Sequence, residues 1–131
     1  METWDAHRPL YEVKANLFKG LSHPVRVRIL EVLSAQPEAS VTELLVDTGF
    51  EASHLSQHLA VLRRYHLVAA ERRGSLVFYR LAHPQIVDLL RAARALLTEV
   101  LHGTQRQLAS ASELPSIPET PTVESTPQAV R

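Results

Sequence analysis

The sequence predicts a mainly α-helical protein carrying one small β-hairpin. Three observations lead there. Apolar residues recur at helical spacing along most of the first hundred positions. One stretch, Leu67 to Leu81, is instead two β-prone runs around Arg73-Gly74-Ser75. Hydrophobic residues make up 45% of the chain but aromatics only 5%, so the core must be mostly Leu, Val, Ile and Ala, a composition that favours helices.

Leu10, Val13, Leu17, Phe18 and Leu21 form the first apolar stripe, with Pro9 at a first-turn position and Gly20 as a stop. A second helix is expected after Ser22-His23-Pro24, with Ser22 as its cap. It should turn Val25, Ile29, Val32 and Leu33 inward and Arg26, Arg28 and Glu31 outward, until Gln36-Pro37-Glu38 breaks it. Ser40 and Glu43 have capping-box spacing and open a short helix, Val41 to Thr48. Gly49-Phe50 turns the chain into a helix from about Glu51 to Tyr65, which buries Leu55, Leu59 and Leu62. Two helices joined by a Gly-containing turn make a helix-turn-helix. The hairpin that follows at once, with its basic tip, makes this a winged helix-turn-helix.

Pro84 opens a long last helix striped by Ile86, Leu89, Leu90, Ala93, Leu97, Val100 and Leu101. No later structured element covers that stripe, so a partner chain is expected on it. The organisation read from the sequence is an N-terminal arm (1–8), a DNA-binding and dimerisation domain (9–108) and a disordered Pro-rich tail (109–131). Pro115, Pro118, Pro121 and Pro127 hold half of the eight prolines within that tail.

Composition excludes several functions. With 14 Lys+Arg against 14 Asp+Glu, the 131-residue chain is neither a basic nucleic-acid coat nor an acidic solvating chain. The absence of cysteine removes disulfides, thiolate nucleophiles and Cys-ligated metal. The acidic start, Met1-Glu-Thr-Trp-Asp, has no apolar signal region, and no apolar run approaches the ~20 residues of a membrane span. A cytoplasmic location is expected. Ser56 lacks the glycines of a nucleophile elbow, and the glycines at 20, 49, 74 and 103 each punctuate a helix end or turn rather than cradle phosphate. The chain is not expected to be an enzyme, and no cofactor is expected.

Charge is uneven, however. From Glu51 to Arg80 there are five arginines against two glutamates. A basic helix and hairpin on a neutral protein suit a surface that meets DNA phosphates. With Leu55, Leu59 and Leu62 buried, Ser53, His54, Ser56 and Gln57 face outward near the start of the second motif helix, where base edges are read. Arg63 and Arg64 at its far end, and Arg72, Arg73 and Ser75 at the wing, fit backbone contacts. His58 points partly inward and is expected to pack.

Leu17-Phe-Lys-Gly-Leu-Ser-His-Pro-Val-Arg-Val-Arg-Ile-Leu30, Leu55-Ser-Gln-His-Leu-Ala-Val-Leu-Arg63, and Leu67-Val through Gly74 to Val77-Phe-Tyr-Arg-Leu81 together resemble the ArsR/SmtB transcriptional regulators. The resemblance covers residues 10 to 102. It implies a homodimer paired through the first and last helices, here Leu10, Val13, Leu17 and the stripe from Ile86 to Leu101. It also implies repression of the protein's own operon, relieved by a sensed ligand; two recognition helices related by a two-fold axis should then read an inverted-repeat operator in double-stranded DNA.

Sensing departs from the family pattern. Where many members carry a Cys-rich metal motif, this chain has Glu43-Leu-Leu-Val-Asp47. Where others bind metal through Asp and His on the last helix, it has His83, Gln85, Leu96 and Glu99, of which Leu96 cannot ligate and Gln85 ligates poorly. No metal site and no particular small-molecule effector are therefore expected. Two alternatives stand beside this reading. One is a metal-responsive repressor using Glu99 and His102 with residues of a partner chain or with His7 or His83; the other is a winged-helix module that binds protein.

Overall fold

The computed structural model describes residues 4–113. The elements are α1 (Leu10–Leu21), α2 (Pro24–Ser34), β1 (Ala39–Ser40), α3 (Val41–Thr48), α4 (Ala52–Arg64), β2 (Val68–Arg73), β3 (Leu76–Leu81) and α5 (Gln85–Glu113). The helices, the hairpin and their order are those the periodicities predict. The hairpin also gains a third strand: β1 adds antiparallel to β3, through Ala39 opposite Tyr79 and Ser40 opposite Phe78, giving the order β1-β3-β2.

The contacts divide the chain between Arg91 and Ala92. The first unit has an aliphatic core in which Ile29, Leu30, Leu44, Leu55 and Leu62 are wholly buried, with Leu59, Leu33, Leu67, Val68 and Ile86 nearly so. Each such side chain contributes about 1.5–3 kcal/mol relative to an exposed one. The described part of the second unit is the remainder of α5, which runs through Glu113, beyond the boundary at residue 108 expected for the folded domain. The rest of the expected tail, 114–131, lies outside the described residues.

Local chemistry explains the helix ends. The capping box forms as expected: the Glu43 amide donates to Ser40 Oγ at 3.1 Å, and the Ser40 amide donates to the Glu43 carboxylate at 2.8 Å. The cap of α2 is His23 rather than Ser22. The Ser22 amide is still bonded to the Lys19 carbonyl as the close of α1, whereas His23 is extended and its Nδ1 accepts the Val25 amide at 3.1 Å. Gly20 does not end α1 either. It lies in the last turn, buried, where an added Cβ would stand 2.6 Å from the Tyr65 ring.

Helix α4 closes with a Schellman motif. The Leu67 amide donates to the Leu62 carbonyl and the His66 amide to the Arg63 carbonyl, while buried Leu62 and Leu67 make the accompanying apolar pair. His66 takes the left-handed position at φ 60° that glycine usually fills. From the arm, Trp4 Nε1 donates to the Tyr65 carbonyl at 3.1 Å, and its ring meets Tyr65 edge-on.

Candidate nucleic-acid interface

Leu55, Leu59 and Leu62 seat α4 on the core and thereby decide which of its faces is free. Ser53, His54, Ser56 and Gln57 are all exposed, in the first two turns of the helix. They supply hydroxyls, an imidazole and an amide, which are the donors and acceptors that match base edges. The Ser53 hydroxyl donates to the carboxylate of Glu51, the residue before α4, so it presents acceptor lone pairs outward. His58, the next residue along, is half-buried, and its ring packs on His23 at 4.1 Å between centroids.

The expected backbone contacts divide into two kinds. Arg63 and Arg64 are exposed in the last turn of α4, where positive charge also suits the helix dipole, and Arg72 and Ser75 are exposed at the wing tip. The tip itself is a two-residue turn with Gly74 at φ 64°, a backbone conformation that favours glycine there. Arg73 is different. Its guanidinium grips both oxygens of Glu38 at 2.6 and 2.7 Å, touches Glu71 at 3.0 Å, and lies 4.6 Å over the Phe78 ring. Hydrogen bonding to Arg73 holds the Glu38 and Glu71 carboxyls below their ordinary value, and the same bonds raise Arg73 further. A phosphate that approaches Arg73 competes with two carboxylates for its charge, whereas Arg72 has no such competitor among the described residues. Glu71 and Arg73, two apart on one strand, share a face and could have been paired from spacing alone. Glu38 lies 35 positions from Arg73 and gave no local signal.

The residues expected at a dimer interface are placed unequally. Ile86 is 5% exposed and belongs to the core of its own chain, and Leu17 and Leu90 pack against that core. In the first unit Leu10 is exposed and Val13 and Leu89 are half-buried; in the second Ala93, Leu97, Val100 and Leu101 are exposed, with Leu96 beside them. An open concavity of about 840 Å³ in the first unit is walled by Trp4, Leu17, Tyr65, His66, Ile86 and Leu89. Among the described residues no three His, Asp or Glu side chains come together as a metal would require, and no helix is long and apolar enough to cross a membrane.

A buried three-leucine stripe, an exposed polar face, a Gly turn between two helices and a basic-tipped hairpin define the winged helix-turn-helix class. Residues 23–70 match the family described as "Bacterial regulatory protein, arsR family". An uncharacterized HTH-type transcriptional regulator of Mycobacterium tuberculosis, Rv0081, is 52% identical over 94 residues, 71% of this chain and 82% of that one. Its crystal structure superposes with a TM-score of 0.67 at 50% identity, covering 74% of this chain and 97% of that chain. The transcriptional repressor BigR from Xylella fastidiosa superposes with a TM-score of 0.61 at 37% identity, covering 66% and 87%. A homodimeric winged helix-turn-helix DNA-binding domain from Mycobacterium bovis gives 0.62 at 26%, covering 72% and 89%. This chain belongs to the ArsR family and is a DNA-binding transcriptional regulator.

Proposed function

We propose that the protein is a homodimeric repressor that reads an inverted repeat in double-stranded DNA. The observation that carries this is the exposure of Ser53, His54, Ser56 and Gln57 together over the buried Leu55, Leu59 and Leu62. Two copies of that face, related by a two-fold axis, meet half-sites separated by a whole number of helical turns, ~34–36 Å each. Arg63, Arg64, Arg72 and Ser75 hold the phosphates on either side, and Arg73 joins them when it leaves Glu38. Pairing runs through α1 and α5, using Leu10, Val13 and the exposed Ala93, Leu97, Val100 and Leu101. The homodimeric relative supports dimerisation, and the relative named as a repressor supports the direction of control. The protein works without the family's Cys or Asp/His metal sites.

The test is to incubate the purified protein with fragmented genomic DNA of its source at ~0.15 M salt and sequence what is retained. Enrichment of one inverted repeat is the expected result. If folded, dimeric protein retains no sequence preferentially, the reading fails and a protein-binding module takes its place.

A further inference from the structure

By helical periodicity Arg26 belongs to the outer face of α2, yet the structure turns it inward. It is half-buried, and its guanidinium donates in three directions. Nε donates to the Gly20 carbonyl at 2.8 Å, Nη2 to the Lys19 carbonyl at 3.3 Å, and Nη1 to Nδ1 of His58 at 3.2 Å. A guanidinium has no acceptor, so His58 must offer a lone pair at Nδ1 and, when neutral, keep its proton on Nε2. The His58 ring also packs on His23, 4.1 Å between centroids and tilted at 36°. His23 in turn accepts the Val25 amide and caps α2. One network thus joins the end of α1, the start of α2 and the middle of α4.

The position of His58 on α4 matters. It immediately follows Gln57, stands one turn beyond His54, and lies between the reading face and the leucine stripe. Leucines hold a helix against a core but tolerate small rotations about its axis. A hydrogen bond from a planar fork does not, because it weakens steeply off its line. We propose, resting on the DNA-reading assignment above, that Arg26 is a positioning residue for base recognition: through His58 it fixes the rotation of α4 and so the register of Ser53, His54, Ser56 and Gln57.

The same contact makes the register sensitive to acid. A proton on His58 Nδ1 would place donor against donor and cation against cation. The groups that act electrostatically on His58 are His23 at the cap of α2, Arg26 on α2, and His54 on its own helix. All three oppose a positive charge on His58. From α1 come the Lys19 and Gly20 carbonyls that hold Arg26, and β2, which also packs on α4, brings no charge that acts on His58.

The experiment uses the full chain and the genomic fragments it retains. Arg26→Lys keeps the charge but cannot make the three-way fork. Its affinity should fall about tenfold, within the range that coupling through a contiguous network produces, while its unfolding stays cooperative. His58→Gln keeps an acceptor for Arg26 and cannot titrate. The ratio of wild-type to His58→Gln affinity should therefore fall from about pH 7.5 to about pH 5.5, even as protonation of other histidines strengthens both. Nitrogen shifts of the free wild-type protein should show His58 neutral, with Nδ1 bare. Equal affinity of wild type and Arg26→Lys overturns the positioning role, as does a protonated Nδ1 at neutral pH or a flat affinity ratio. If Arg26→Lys does not fold, the nitrogen shifts and the affinity ratio decide alone. If wild type retains no DNA, the DNA reading falls and the role falls with it, whereas retention by both proteins removes only the role.

Discussion

Gly20 sits where the end of α1 crosses the end of α4, and Gly20→Ala measures how tightly that crossing is set. A Cβ built there lies 2.6 Å from both Cγ and Cδ1 of Tyr65 and 3.1 Å from its Cβ. Ordinary carbon contacts begin near ~3.5 Å, so about 1 Å of movement is required. Cβ is fixed by the backbone, and a χ1 change that carried Cγ and Cδ1 clear would break the edge-on contact of the ring with Trp4. The alternative is a shift at the end of one helix, straining the Trp4 bond to the Tyr65 carbonyl and the Schellman closure beyond it. Overpacking of this kind costs about 1–3 kcal/mol. Alanine in place of glycine within a helix returns about 0.5–1 kcal/mol. The net expectation is a loss of up to about 2.5 kcal/mol, centred on about 1 kcal/mol, which lowers Tm by roughly 5 °C in a domain of this size. Thermal and urea unfolding at one fixed protein concentration would show it, and the fluorescence of Trp4, the single tryptophan, reports the crossing directly. A variant as stable as wild type, or more stable, would refute the close approach as the reason for glycine.

Four further outcomes follow from particular contacts. His66→Gly removes the strain of a left-handed histidine at the end of α4 and should stabilise the protein by about 1 kcal/mol in the same melts; no gain would mean that the His66 ring packed near Trp4 outweighs the strain. Glu38→Gln frees Arg73 from its fork, so affinity for non-specific duplex DNA should rise and the slope against salt should steepen by about 1. Gln57→Ala should cost about 1–3 kcal/mol and relax preference at one base position, whereas Arg72→Ala should weaken all sequences alike, as footprints and titrations on retained and random duplexes would distinguish. Partial burial first, then His23, Arg26 and His54, hold the His58 imidazole below its ordinary 6.5. As pH falls below that value the unfolded chain takes the proton before the folded one, so stability declines with acid and levels off once the folded group titrates too. His58→Gln should flatten that part of a stability-versus-pH curve; a curve that superimposes on wild type would contradict it.

The elements legible in the sequence are those whose cause is local. Leu55, Leu59 and Leu62 are spaced by the helix repeat, Ser40 and Glu43 by the reach of a capping box, and Arg73-Gly74-Ser75 by the needs of a tight turn. Those same residues leave Ser53, His54, Ser56 and Gln57 exposed, so the placement of these four side chains could be read in advance. What could not be read depends on distant partners. β1 has only two residues, too few for any period, and exists because β3 offers an edge. Gly20 looks like a stop until Tyr65 is seen against it. Arg26 looks solvated because nothing nearby in sequence reveals the carbonyls and imidazole it meets. Ser22 is a better cap than His23 by composition, but it was already committed to closing α1.

Ser40 occupies two structures at once. Its backbone pairs across the sheet with Phe78 in the wing, while its side chain and amide close the capping box of α3. The wing is therefore no free-swinging flap, since displacing β3 pulls on the residue that starts the first helix of the motif. A force exerted on the hairpin by a phosphate backbone reaches α3 through Ser40 as well as through the packing of α3 on β3, with no loop to absorb it. Hairpin and helix should answer such a load as one lever, pivoting at Ser40.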